Sequence, residues 1–152
     1  MLTIGQKAPD FTLLTGDNAS IRLSDFLGKK VVLYFYSKDS TAGCTKQAVG
    51  FSEIYDALKD KNVEIIGISK DSITSHARFS EKYNLPFFLA SDPELDVIKA
   101  YDVLHEKKMC GKAGMGVVRT TFIIDENGYI ENIFNNVKSS ESKNDIACYF
   151  GL

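Results

Sequence analysis

The stretch 37–44, Ser-Lys-Asp-Ser-Thr-Ala-Gly-Cys, delivers a lone thiol, Cys44, from the end of an apolar run into the start of a helical pattern. Residues 30–36 are too short for a buried helix and β-branched at the outset, which predicts a central strand. Beyond the loop, Cys44, Ala48, Phe51, Tyr55 and Leu58 recur at spacings of four, three, four and three, one apolar face of a helix. In α/β sheets, ligands bind at the carboxyl ends of strands, and free N–H groups at a helix start favour negative charge. A cysteine there is suited to act as a thiolate nucleophile. The size of the effect matters. An ordinary thiol, with a pKa of about 8.5, is about 3% ionised at pH 7, and lowering it to about 6 takes roughly 3.4 kcal/mol. A helix start alone supplies about 0.3 to 1 kcal/mol, so a cation near the sulfur is needed as well. On the helical face shared with Ala48, Phe51 and Tyr55, the sulfur points toward the sheet. A small buried hydrophobe is the other use of such a cysteine. Thr41, three residues earlier, reads as an N-cap whose hydroxyl also lies near the thiol.

The elements that must hold this loop alternate along the chain. Residues 10–14 and 20–23 flank the turn Thr15-Gly16-Asp17-Asn18 and predict an N-terminal β-hairpin. After the helix of Cys44, which ends at Asn62, come a buried strand at 63–69 and a helix at 73–83 opened by Asp71 or Ser72. A strand at 87–90 follows, and Asp92-Pro93 predicts the entry of a short helix with Leu95, Ile98 and Tyr101 on its apolar side. Residues 117–124 and 129–134 flank Asn127-Gly128, a hairpin signal, and a last helix spans 140–150. This order predicts an α/β fold, a mixed central β-sheet flanked by helices on both faces.

Composition narrows the function classes. The 152 residues are 44% hydrophobic and 25% charged, the usage of one soluble domain spanning 1–152, with about two thirds of its surface buried on folding. The three cysteines are therefore not needed as staples. A net charge of −2 gives no field for nucleic acid, and no apolar run reaches the roughly 18 residues of a membrane span. Residues 1–11 lack a signal-peptide pattern, so the expectation is a cytoplasmic protein with reduced thiols. His76 and His105 stand apart from the cysteines, without metal-ligand spacing, and the absence of CxxC argues against a disulfide oxidoreductase. Gly111, Gly114 and Gly116 make no nucleotide motif and read as loop punctuation. Asp39 with Asp71, and Asp92 with Glu94, read as turn and capping chemistry.

The segment VVLYFYSKDSTAGCTKQAVGF resembles the active-site segment of peroxiredoxins, closest to the bacterioferritin comigratory protein or Q-type subfamily, whose usual form is FYPKDxTPGCT. GQKAPDF, FSEIYDALKDKNVEIIGISKDS, the Asp92-Pro93 helix and RTTFIIDENGYI align in the same order, so the resemblance covers essentially the whole chain. It implies a thioredoxin-like fold. The family's peroxidatic cysteine falls on Cys44, its threonine on Thr41 and its active-site arginine on Arg119, which would be the missing cation. Gln47 matches a family residue that orients the arginine, although a surface glutamine is the commoner explanation for such a helix position. Two prolines are replaced, by Ser37 and Ala42; losing the first removes a rigid wall beside the sulfur and implies a looser site. The common resolving cysteine, five residues after the peroxidatic one, is here Val49.

The resemblance implies a thiol-dependent peroxidase acting on hydrogen peroxide or an alkyl hydroperoxide through a sulfenic acid, without metal or organic cofactor. Thioredoxin or another thiol would be the reductant, and the protein would be a monomer or weak homodimer. Cys110, in a polar stretch, and Cys148, on the watery side of the last helix, are the internal candidates for a resolving thiol; an external thiol is the third. Because Cys44 points inward, residues 41–49 are expected to unfold locally in the oxidised state. A catalytically weakened redox sensor or binding module is the alternative, favoured by Ser37 and Val49.

Overall fold

The structure, a computed structural model, describes residues 2–109 and 112–152. Its frame is a seven-stranded sheet in the order β2-β1-β5-β4-β3-β8-β9. The centre is made by β3 (Lys30–Phe35) and β4 (Val63–Ser69), paired in parallel, with β5 (Phe88–Ser91) parallel to β4 on the far side. The predicted N-terminal hairpin, β1 (Thr12–Thr15) and β2 (Ser20–Arg22), lies antiparallel along β5. On the other flank β8 (Thr120–Ile124) runs antiparallel to β3 and turns through Asn127-Gly128 into β9 (Ile130–Phe134). Gly128 carries the turn at φ 86, in the left-handed region that glycine enters without strain.

The sheet is buried on both faces because alternate residues of β3 are apolar on both. Val31, Leu33 and Phe35 join Ile66, Ile68, Ile98 and Phe122 in one core. Val32, Tyr34 and Tyr36 join Phe51, Leu58, Phe79, Ile123 and Ile146 in the other, beneath α1 (Ala42–Asp60), α2 (Ile73–Tyr83) and α4 (Ser142–Tyr149). The short helix α3 (Asp96–Ala100) packs on the first core through Val97 and Ile98. Helices therefore cover both faces, as the alternation of elements implies.

Three local features differ from the sequence expectation. The helix after Asp92-Pro93 opens only at Asp96; Leu95 turns the chain at φ 64, and the Asp92 carboxylate reaches forward to accept the Ile98 N–H at 2.8 Å. Residues 117–124 are not one strand: Val117 ends β7 (Lys112–Val117), and Val118 and Arg119 separate it from β8. β7 pairs with β6 (Leu104–Met109) in a two-stranded hairpin that the sequence reading left as loop, so Gly114 and Gly116 sit in a strand. The hairpin meets the first core through Leu104 and Val117; in β7 Ala113, Met115 and Val117 alternate with Lys112, Gly114 and Gly116, and glycines so placed read as loop rather than strand.

Candidate active site

β3 ends at Phe35, Tyr36 remains buried, and the chain then passes through the loop 37–41 into α1, whose first turn carries Cys44. The thiol is 2% exposed and packs in the same core as Ala48 and Phe51, as the helical spacing predicts. The register of β3 against β8 pairs Phe35 with Thr120, so Arg119 arrives level with the end of β3, beside the loop. Its guanidinium bridges two residues of α1. Nη2 donates to Cys44 Sγ at 3.2 Å across 75 residues of sequence, and Nη1 donates to Gln47 Oε1 at 2.5 Å. Gln47 is fully buried, and its Nε2 donates in turn to Ser142 Oγ at 3.2 Å. It is thus no surface glutamine: α4 fixes Gln47, and Gln47 fixes the fork of the arginine. Gly43 leaves the room for this, since a Cβ there would stand 3.3 Å from Arg119 Nη2 and equally near Ser139 Oγ.

Thr41 occupies the N-cap position of α1 in backbone terms, but its side chain caps no helix N–H. The hydroxyl donates instead to the Lys38 carbonyl at 2.9 Å. The loop folds back over the helix start, and the hydroxyl is turned toward the Lys38 carbonyl rather than toward the helix N–H groups. Ser37 Oγ lies 3.6 Å from Cys44 Sγ, so the residue replacing a proline of the resembled segment touches the sulfur. Burial pushes the Cys44 thiol up, but the Thr41 hydroxyl, the Lys38 backbone and the charge and hydrogen bond of Arg119 outweigh it, leaving the thiol below its ordinary range. The arrangement suits a sulfur anion, with donors around a buried atom.

Behind the loop lies a buried polar cluster. Asp39 accepts from Tyr36 Oη at 2.5 Å and from Ser75 Oγ at 2.8 Å, and contacts His76 Nδ1 at 2.7 Å; His76 Nε2 faces the Ala90 carbonyl at 3.1 Å. The imidazole thus sits between a carboxylate and a backbone carbonyl. Burial raises the Asp39 carboxyl, but the hydrogen bond and charge of His76, with Tyr36 and Ser75, bring it below the usual carboxylate range. The Asp39 N–H donates to Asp71 Oδ2 at 2.9 Å, which also takes the Ser69 hydroxyl. His76 is therefore not isolated, and Asp39 with Asp71 is more than turn chemistry. The signal was present: His76 and Phe79 share the core-facing side of α2, and a polar ring on such a side needs a buried partner.

Cys148 is exposed on α4, on the side away from buried Ile146, as its spacing implies. Cys110 lies outside the described residues, as does Gly111. His105 is exposed, with Nε2 against the Asp102 carbonyl at 2.8 Å. Among the described residues no three His, Cys, Asp or Glu side chains gather as a metal site would need, and no helix is long and apolar enough to cross a membrane.

The AhpC/TSA family profile matches residues 4–133. The chain is 41% identical over 139 residues to peroxiredoxin Bcp of Escherichia coli strain K12, covering 91% of this chain and 89% of the relative. It is 44% identical over 137 residues to peroxiredoxin Bcp of Bacillus subtilis, covering 90% and 87% respectively. Among solved structures, a cysteine-to-serine variant of Xylella fastidiosa PrxQ superposes with a TM-score of 0.94 at 28% identity, over 99% of this chain and 96% of the other. The Xanthomonas campestris bacterioferritin comigratory protein, studied for its alkyl peroxide reduction activity, superposes with a TM-score of 0.88 at 30% identity, over 93% and 90%.

Proposed function

The chain belongs to the AhpC/TSA family, and within it to the peroxiredoxins; from that premise we propose that it reduces hydroperoxides at Cys44, with Arg119 and Thr41 as the groups that hold and stabilise the reacting atoms. It is a thiol peroxidase with a thioredoxin-like fold. The observation that carries the assignment of the site is the contact between Arg119 Nη2 and Cys44 Sγ at 3.2 Å. The Cys44 thiolate attacks one peroxide oxygen; the S–O bond forms as the O–O bond breaks. Sulfur is oxidised to sulfenic acid, and the departing oxygen takes a proton and leaves as water or alcohol. Arg119 has five donors, enough to keep one on sulfur and offer another to peroxide oxygen, while the Thr41 hydroxyl, turning from the Lys38 carbonyl, serves the same charge from the loop side.

Recycling consumes two thiols. The first condenses with the sulfenic acid, releasing water and leaving a mixed disulfide; the second breaks that disulfide and is itself bridged to the first. Thioredoxin in a reducing cytoplasm fits this demand. Cys44 is 2% exposed, so a bulky reductant reaches it only when residues 41–49 open. Exposed Cys148 looks outward from α4, and we take the first reducing thiol to be external.

Stopped-flow peroxide consumption by the native protein and Cys44→Ser tests the assignment, followed by peptide mapping after one equivalent of peroxide. Consumption that far exceeds free cysteine's and vanishes in Cys44→Ser is expected, with Cys44 bridged to added thiol. A native rate no faster than free cysteine's overturns the peroxidase at this site, and a Cys44 bridge to Cys148 or Cys110 overturns the external thiol.

A further inference from the structure

We propose that Ser37 is a further catalytic residue, a hydroxyl donor to the Cys44 thiolate that fills a place where the resembled segment has a proline without a donor. The inference rests on Cys44 being the reacting thiol. Its carrier is geometric: Ser37 Oγ lies 3.6 Å from Cys44 Sγ, within hydrogen-bonding reach of a large, soft acceptor, on the solvent side of the site. The inner side is already taken by Arg119 Nη2 at 3.2 Å. A thiol proton has one direction in which to point, whereas a thiolate accepts from several donors at once. The hydroxyl therefore stabilises the anion more than the neutral thiol.

A proline at this position could shield the sulfur but give it nothing, having neither a side-chain donor nor an N–H. A serine gives up part of the shield and adds a third donor. The ionisable groups around the sulfur are Arg119 from the segment between β7 and β8, Tyr34 from β3, and Asp39 from the loop with His76 of α2 behind it. Ser37 is exposed, so replacing it leaves these groups and the packing of the core in place.

The consequence has a definite shape in pH. Losing one exposed, solvent-screened hydroxyl contact at 3.6 Å raises the proton affinity of Cys44 about threefold, near the low end for an ordinary hydrogen bond and below that of a buried charge-assisted one. Nucleophilicity rises with basicity at a slope of about 0.4 to 0.5, so the freed thiolate is intrinsically faster by roughly 1.7-fold. Well below the midpoint, Ser37→Ala reacts with peroxide at about half the native rate; well above it, the variant is about 1.7 times faster, so the two profiles cross. A residue that merely shaped the loop would shift the rate at every pH in the same direction.

The test follows iodoacetamide labelling and peroxide consumption of the full chain against pH, in the native protein, Ser37→Ala and Ser37→Thr. Labelling is read on the tryptic peptide 39–46, which carries Cys44 but neither Ser37, Cys110 nor Cys148. An alkaline shift with crossing profiles in Ser37→Ala, and near-native behaviour in Ser37→Thr, is expected. An unshifted labelling midpoint in Ser37→Ala, a fall in rate at every pH, or a Ser37→Thr variant that behaves like alanine overturns the donor role. Failure of the underlying assignment looks different: the native protein would consume peroxide no faster than free cysteine, while the labelling comparison would still read.

Discussion

Replacing Arg119 by methionine keeps a stem of similar reach and removes the charge, the fork and the contact with Cys44 Sγ. That contact is a charge-assisted hydrogen bond at 3.2 Å, a class worth about 1.5 to 3 kcal/mol, or roughly ten- to 150-fold in the thiol–thiolate balance. Arg119 is partly exposed, and solvent screening places the effect toward the lower end, about ten- to thirtyfold. The direction is fixed by burial. With Cys44 2% exposed, desolvation alone pushes the thiol up, and the arginine is one of the groups that reverse it. Below the thiol's midpoint the second-order rate of Arg119→Met with hydrogen peroxide should fall about threefold to sixfold from the shifted balance, because the more basic thiolate is intrinsically faster, with a further loss because the peroxide oxygens lose their cation. Arg119→Lys, a point charge without the fork, should lie between. Gln47→Ala should lower the rate about threefold to tenfold while the guanidinium charge remains, because the arginine loses the acceptor that aims it. Stopped-flow kinetics with the pH profile of Cys44 labelling measure all three. A rate within twofold of native in Arg119→Met, with an unmoved labelling midpoint, refutes the electrostatic reasoning.

Gly43→Ala should slow peroxide reduction and shift Cys44 labelling to higher pH without unfolding the protein, since the new Cβ would stand 3.3 Å from Arg119 Nη2, the nitrogen on the sulfur; thermal melting alongside the rate separates the two effects. At the buried pair, His76→Leu should destabilise the fold by about 3 to 5 kcal/mol, read from urea unfolding, because it leaves Asp39 charged and buried without its partner. The Asp39 carboxyl is held below the usual range when folded, so its contribution is present above the unfolded value of about 3.9 and is withdrawn as pH falls through the lower folded value. Asp39→Asn should flatten that acid limb of the stability profile.

The parts of the fold with a face on the core were legible in the sequence. The run 30–36 and the stripe from Cys44 to Leu58 had only one way to hide their side chains, and their order placed the thiol at the carboxyl end of the central strand. In the β6 and β7 hairpin Gly114 and Gly116 obscure the alternation of Ala113, Met115 and Val117, and the start of α3 is decided by a backbone turn at Leu95 that no periodicity encodes. Within the site, the link between Arg119 and Cys44 spans 75 residues and depends on the register of β3 against β8, which local spacing cannot supply. Resemblance to a family supplied it instead. Resemblance had less to say about Ser37, where this chain departs from the pattern. It registered a lost wall, while the coordinates put a hydroxyl against the sulfur.

The start of α1 has to meet two demands that ordinarily conflict. To steady a sulfur anion it must leave N–H groups unclaimed, and Thr41 does so by giving its hydroxyl to Lys38 and leaving the helix without a side-chain cap. A missing cap costs about 1 kcal/mol, and no acidic residue in the first turn recovers it, so this turn opens at less cost than a capped one. Opening is useful only if it stops. Upstream, Asp39 is tied to Tyr36, Ser75 and His76 in the interior, two residues before Thr41. Downstream, Gly50 lets α4 approach so closely that a Cβ there would meet the Lys143 side chain at 3.1 Å, and Phe51 is fully buried. Between these two stops lies the stretch that includes Thr41 and Cys44, the residue that Arg119 contacts. Under the opening proposed for residues 41–49, oxidation to sulfenic acid is the event expected to loosen the turn, since it removes the negative charge that Arg119 pairs with.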